Sequence, residues 1–456
     1  MRRITIDPVT RLEGHLKVTV DIDGGSVKRA EVAGTLYRGF EKILAGRDPR
    51  DAVFFTQRIC GVCPADHAVA SAMALDDAFG IQPTPDGRLV RNIILAGSFL
   101  QSHITHFYLL ALPDYVAGPD IAPFAPRYSG DYRLGAEDSA RLMSHYFEAL
   151  TIRRKCQEFI AHFGGKMPHQ AGIVVGGVTK IPDKDRIAAA RGLLAEVATF
   201  INNQFQEDTE IIAAAYSDYF QLGRGYGNFL AYGALPEDDY GNLLFPRGTV
   251  IDGKAGELAV EAIAEDVSHA WYTDAGSGHP ANTVTEEKLD RAAGYSWVKA
   301  PRYGGAVCEV GPLARLWVAG RYQGGISAMD RIKARMLEAR LLLEPLDRWL
   351  SALDPEGEAA AEAIIPDGAY GAGLSEAARG ALGHWIKISG GRIERYEAVV
   401  PTTWNASPRD GKGRPGPIEA ALTGLPVADA DNPLAVMRVI HSFDPCLACA
   451  VHVFTP

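Results

Sequence analysis

The chain has few cysteines, no long apolar run and no basic excess, and each shortage excludes something. Six cysteines in 456 residues are too sparse for a disulfide scaffold of the kind that holds small secreted domains together. Nowhere do about 18 apolar residues run together, the length a membrane helix needs. The N-terminal MRRITIDPVTRLEGH has two arginines with no apolar stretch behind them, so no signal peptide is expected and the chain is not expected to export itself. Lys and Arg number 46 against 56 Asp and Glu, a net charge of −10 and a pI near 5.7. That balance argues against nucleic acid or an anionic membrane surface as the main partner. What remains is an acidic chain, 47% hydrophobic, able to bury a large core and long enough for two or three domains.

Periodicity supplies the elements. HLKVTVDID at 15–23 alternates Leu16, Val18, Val20 and Ile22 on one face, and Gly24–Gly25 turns the chain towards VKRAEVA, which predicts an N-terminal hairpin. Pro64 is a favoured first helical residue and Gly80 a stop, so a helix is expected between them with Cys63 at its cap. Leu89, Ile93, Ala96, Leu100, His103 and Phe107 repeat at helical spacing up to Pro113. Further helices are expected around 187–201 and 332–346, the latter opened by a capping pattern from Ser327 to Asp330. HWIKISGGRIERYEAVV at 384–400 reads as a second hairpin about Gly390–Gly391. No Pro-rich or charged linker and no internal repeat divides these pieces. The expectation is one large, mainly α domain over 1–456 with peripheral β-hairpins (α+β): a hairpin at about 15–35, a helical core at about 50–350, and a C-terminal hairpin with the second cysteine pair at about 379–456.

Four of the six cysteines form two CxxC pairs, RICGVCPADH at 58–67 and DPCLACAVH at 444–452, while Cys156 and Cys308 stand alone and read as small buried hydrophobes. Paired CxxC is the spacing of a structural zinc site, but zinc ribbons keep their pairs within a few tens of residues, and here the pairs sit at opposite ends of the chain. Four thiolates make a soft donor set for zinc, nickel or iron, and independent thiol redox pairs are the other reading. A helix N-terminus at Cys63 and the Arg58 guanidinium beside Cys60 would favour thiolates.

The two motifs resemble the RxCGxCxxxH and DPCxxCxxH motifs of the nickel-iron hydrogenase large subunit. The resemblance covers nearly the whole chain: DPVTRLEGH at 7–15, YRGFEKILAGRDPRDA at 37–52, LQSHITHFY at 100–108, FGGKMPH at 163–169, VKAPRYGGAVCEVGPLAR at 298–315 and RGALGHW at 379–385. LQSHITHFY and GGKMPH are most similar to the nickel-iron-selenium branch, which has selenocysteine where this chain has Cys446. The resemblance implies a fold around a central bundle of long helices and a nickel held by Cys60, Cys63, Cys446 and Cys449. Cys63 and Cys449 would bridge to an iron carrying carbonyl and cyanide ligands. The implied activity is reversible heterolytic cleavage of hydrogen, with Cys446 as first proton acceptor, Glu13 as proton gate, Arg379 beside the open metal position and Asp444 holding Arg379. Ala378 stands where the family commonly has proline, and Ser102 where many members have an aspartate.

Glu41 and His452 match ligands of a magnesium (or iron) near the C-terminus, with Glu309 as a candidate neighbour. His67 is expected to support a cysteine, and His103 to be a satisfied core histidine. The family's precursor is cut after the final motif histidine by an endopeptidase once metal-insertion proteins have acted, whereas here VFTP follows His452. With its cysteines used, this chain has no set left for an electron relay, so an iron-sulfur small subunit is implied as partner in a heterodimer, passing electrons to a carrier such as a cytochrome. Analogy with the closest branch implies a periplasmic location, exported with the small subunit; the alternative is cytoplasmic. Two other functions stand beside this one: a hydrogen-sensing relative and a structural four-cysteine zinc protein. The related quinone-module subunit of respiratory complex I lacks the cysteine pairs.

Overall fold

The computed structural model describes residues 1–450 apart from 123, 126, 129, 240 and 430. The N-terminal hairpin forms as expected, Leu16–Asp23 against Ser26–Gly34, with Leu16, Val18 and Val20 fully buried. A strand not foreseen, Arg2–Ile6, completes a three-stranded antiparallel sheet. Because Ile6 pairs with Val18, the intervening DPVTRLEGH leaves and re-enters the sheet at one edge. It is a loop with both ends pinned.

The first cysteine motif opens a helix, Pro64–Phe79, with Cys63 as N-cap and Gly80 (φ 66°) as the left-handed stop. The next helix, Pro85–Ile104, is capped by the Thr84 hydroxyl, which accepts from the Gly87 N–H at 3.2 Å. It runs on through a wider π-helical stretch to Asp114. This 85–114 run is long and apolar enough to cross a membrane, yet 89% of its apolar window is buried inside the protein. It is a core helix, packed on Ala136–Gly164 and Ala328–Leu341. The Ser327–Asp330 capping box opens the latter. Lys184–Phe200 packs on the outer side of Ala136–Gly164.

Two regions depart from the expected pattern. The stretch 229–303, inside the expected helical core, carries seven short strands, the first Phe229–Ala231 and the last Ala300–Tyr303. At three or four residues each they are too short to show a period. The C-terminal hairpin is in fact a three-stranded sheet, Gly368–Ala377, Gly380–Ser389 and Arg392–Val399. Its first strand reads GAYGAGLSEA, and its glycines serve close approach. A Cβ on Gly373 would lie 1.9 Å from the Ala70 carbonyl of the Pro64–Phe79 helix. The sheet therefore rests on the helix backbone, and its first turn, 377–380, comes to the helix start beside Cys63.

The expected mainly helical architecture with peripheral sheets is thus present. One apolar cluster runs from the N-terminal sheet through both core helices to Val436 and Phe443, and all four motif cysteines lie in it. Cys156 and Cys308 are buried, as expected of small hydrophobes.

Candidate metal centre

Each half of the site is held differently. Cys60 follows Ile59 in extended conformation, and the N–H groups of Val62 and Cys63 point at its sulfur at 3.3 and 3.4 Å. The second half has only a short helical turn, Leu447–Ala450, and takes its bonds from elsewhere. The Cys446 N–H donates to Thr402 Oγ1 at 2.9 Å, and the Leu447 N–H to the Glu13 carbonyl at 2.6 Å. Gly14 (φ 85°) makes that approach possible, since a Cβ there would lie 2.3 Å from the Ala448 nitrogen. Arg38 joins the halves, its Nη2 donating to the carbonyls of both Ile59 and Ala448. Cysteines 386 positions apart become neighbours.

The four sulfurs are buried and all lie within 4.8 Å of one another. Cys60–Cys446 is 3.5 Å, Cys63–Cys449 3.4 Å and Cys446–Cys449 2.9 Å. A disulfide would need about 2.05 Å, and all four are free thiols. A metal about 2.3 Å from each sulfur would place adjacent sulfurs roughly 3.3–3.8 Å apart. The cage fits a thiophilic metal, and its donor chemistry admits zinc or nickel alike. Burial works against ionisation of Cys60, but hydrogen bonds from the other three thiols and the Arg379 charge push its pKa well below the usual value. Burial pushes Cys446 up, with Cys449 and Cys63 opposing and Cys60 adding, and burial with the other three thiols pushes Cys449 up. Contrary to expectation, Arg58 is exposed, and the guanidinium acting on Cys60 is Arg379.

Arg379 and Asp444, 4% and 3% exposed, come together. Arg379 Nε donates to the Asp444 carbonyl at 3.0 Å, and Nη2 stands 3.1 Å from Oδ1. The carboxylate contact is one of charge rather than an aligned hydrogen bond, since Oδ1 has no hydrogen-bond partner. Burial opposes the Arg379 charge, but Asp444 and the cysteines hold it protonated. Glu13 lies beside Cys446 in a parallel bridge. Burial raises its pKa, Cys60 adds to the rise, and Arg379 and Arg38 oppose it. Ser102 is buried on the core helix, its hydroxyl without a hydrogen-bond partner among the described residues.

Glu41 enters a second buried cluster with Glu265, Glu397 and Lys299. Burial first, then Glu397, pushes Glu41 up to about 8, and burial raises Glu265 to about 7. Lys299 bonds Glu265 at 3.0 Å and Glu397 at 3.4 Å. Three carboxylates against one ammonium suit a hard divalent cation. His452 lies outside the described residues. Glu309 is not part of this cluster: Arg331 takes both its oxygens, at 2.7 and 2.8 Å. His67 bonds His384 (3.2 Å), which continues to Tyr396 (2.7 Å), and burial pushes its pKa down to about 4. His103 bonds Glu338 at 2.9 Å, as expected of a core histidine.

Sequence reasoning assigned no role to Arg38, Thr402, Glu265, Lys299 or Glu397. Arg38 and Lys299 carried a signal, standing in the YRGFEK and VKAPRYGG blocks; the others are single polar residues with no spacing to mark them.

The family profile described as nickel-dependent hydrogenase matches residues 38–121, 115–326 and 321–452, and one described as HoxL-like matches 3–33. The periplasmic [NiFeSe] hydrogenase large subunit of Desulfomicrobium baculatum is 43% identical over 99% of this chain and 95% of its own length. The hydrogenase-1 large chain of Escherichia coli K12 is 34% identical over 99% and 95%. The Ni-Fe-Se hydrogenase structure from D. vulgaris Hildenborough superposes with a TM-score of 0.97 at 41% identity, covering 99% of this chain and all of that one.

Proposed function

The chain belongs to the nickel-dependent hydrogenase family as a large subunit, an oxidoreductase acting on hydrogen, and on that premise we propose how its residues divide the work. Membership decides between the metals that the sulfur cage admits, in favour of nickel over a structural zinc. We assign Cys63 and Cys449 as bridges to an iron with carbonyl and cyanide ligands, and Cys60 and Cys446 as terminal ligands of nickel. When bound, this centre supplies a soft, redox-active pair of metals that polarises hydrogen and takes up its electrons.

The protein's own groups handle the proton. Cys446, held by Thr402 and the Glu13 carbonyl, is the first acceptor at its sulfur. Glu13 is placed next along the chain of transfer, and its raised pKa lets the carboxylate hold a proton between steps. Arg379, kept charged and fixed by Asp444, orients hydrogen at the open side of the cage and excludes bulk water. Ser102 leaves that side less charged than an aspartate there would. Glu41 and His452 are proposed to hold magnesium or iron, with Glu265, Glu397 and Lys299 around it.

As a large chain it pairs with a small subunit, which we propose carries the iron-sulfur clusters and passes electrons to a carrier such as a cytochrome. Residues 1–456 act as one catalytic unit, matured by metal-insertion proteins and an endopeptidase. The periplasmic relative supports export with the small subunit. The observation that carries the reading is the cage itself: four free thiols from the two ends of the chain within 4.8 Å. Elemental analysis of the purified heterodimer, paired with a hydrogen-uptake assay, tests it. Nickel with iron and turnover is expected; zinc in their place, with no turnover, would overturn it.

A further inference from the structure

The turn that carries Arg379 is gripped on both sides by buried charged groups outside the sulfur cage. The Ala378 N–H donates to Asp66 Oδ2 at 3.1 Å, and the other carboxylate oxygen accepts from the Ser98 hydroxyl at 2.7 Å. The carbonyls of Ala377 and Ala378 accept from Arg315 Nη1 and Nη2 at 2.8 and 3.0 Å, and Arg315 is itself paired with Glu338 and Glu376. Asp66 is 1% exposed and stands in the first turn of the Pro64–Phe79 helix. Ser98 is on the core helix. One carboxylate thus ties three separate elements at the point where the chain turns towards Arg379.

A carboxylate of this kind is costly to bury unless its bonds matter to the fold or to the site. The sheet rests on the helix backbone through Gly371 and Gly373. The tip of the turn, where Arg379 begins its reach to the Asp444 carbonyl, is held by the Asp66 and Arg315 bonds. Among the described residues the Ala378 N–H is the backbone donor that Asp66 engages there, and a prolyl residue at 378 would have none to give.

We propose that Asp66 is a positioning residue for Arg379, fixing the 377–380 turn against the helix that begins at Cys63 so that the guanidinium keeps its place beside the cage. This rests on the reading of Arg379 as acting on hydrogen. Asp66 touches no reacting atom and works through the Ala378 amide.

The test uses the purified heterodimer. In Asp66→Ala, amide exchange in the 374–382 segment is expected to quicken about 10- to 100-fold, the scale of a lost charge-assisted hydrogen bond. Hydrogen turnover should fall about tenfold at saturating hydrogen, with nickel content unchanged, if Arg379 is displaced by a fraction of an ångström. Asp66→Asn should recover most of both, because its amide oxygen can accept from Ala378 while its NH2 donates to Ser98. In an Ala378→Pro background, Asp66→Ala should cost little more, since the tether is already gone. Unchanged exchange in Asp66→Ala, an equal further loss in the proline background, or a loss that comes with nickel depletion and no rescue by asparagine would each overturn the proposal. Arg379→Lys within twofold of the unaltered enzyme would instead sink the reading of Arg379 while leaving the exchange result standing.

Discussion

The two cysteine motifs share a spacing and differ in what holds them. The first has local support at its sulfur: it folds its N–H groups onto Cys60 and runs into a helix ended by a left-handed glycine, with Arg38 reaching the Ile59 carbonyl from outside. The second has a short helical turn and is held in place by the Glu13 carbonyl, Arg38 and Thr402. The groups assigned to proton handling, Glu13, Arg379 and Asp444, also gather at the second motif. A half-site assembled from distant segments brings several side chains to one sulfur, which a local loop cannot do. The difference teaches that the first motif is scaffold and the second is where chemistry and assembly meet.

The largest test of that division is Cys446→Ser. It removes the sulfur on which proton transfer is proposed to begin, and hydrogen turnover is expected to be abolished; ordinary turnover by the variant would sink the assignment. Glu13→Gln separates the two roles on one residue, because the backbone carbonyl holds the second motif and the side chain moves the proton. Turnover should fall by about 10²–10³, the weight of a positioned acid–base group, with nickel signals intact. Unaffected hydrogen–deuterium exchange activity would remove Glu13 from the proton route. Two glycines then set the halves against each other. Gly14→Ala forces a side chain into a positive-φ residue 2.3 Å from the Ala448 backbone, a cost of about 1–3 kcal/mol for the strain alone. Nickel retention on dialysis against chelator should drop about fivefold or more. Gly61→Ala, in the first motif, meets nothing within 4 Å and should retain nickel normally. Equal behaviour of the two variants would erase the distinction.

Much of this was legible in the sequence, for identifiable reasons. The motif pairs, the Pro64–Gly80 helix, the Ser327–Asp330 cap and the Gly24–Gly25 hairpin are local signals, carried by residues a few positions apart. The strand Gly368–Ala377 was not legible, because glycine and alanine have little strand preference and are there to let the Ala70 backbone come close. Nor were the buried ions. Asp66, Arg315, Glu265 and Lys299 each look like surface residues in isolation, and only the three-dimensional pairing reveals that each is spent on a partner from another segment. Arg38, like Asp66, Arg315 and Lys299, stands in a motif block that was visible, while its double bond to Ile59 and Ala448 depends on where the chain ends meet.

The last expected effect is on stability rather than turnover, at the helix Pro417–Leu422 that packs on the sheet pinning the Glu13 loop. Glu419 Oε1 accepts from the Val32 N–H at 3.0 Å and the Tyr295 hydroxyl at 2.7 Å, while Oε2 has no partner among the described residues. Burial outweighs these bonds and raises its pKa to about 7, against about 4.3 unfolded. Below the unfolded value the carboxyl is neutral in both states and costs nothing in pH terms. As pH rises towards 7 the unfolded chain releases its proton while the folded one keeps it, so stability falls, and the fall levels off once the folded group ionises too. The full span is about 4 kcal/mol at 1.36 kcal/mol per unit. Glu419→Gln keeps the shared acceptor and cannot titrate, so its melting temperature should exceed that of the unaltered protein by a margin that widens from pH 5 to pH 8, with turnover unchanged. A margin that stays flat would mean that Glu419 is already charged in the folded protein. A change in nickel retention would mean that this anchor reaches the second motif, extending the assembled half of the site beyond the residues that touch it.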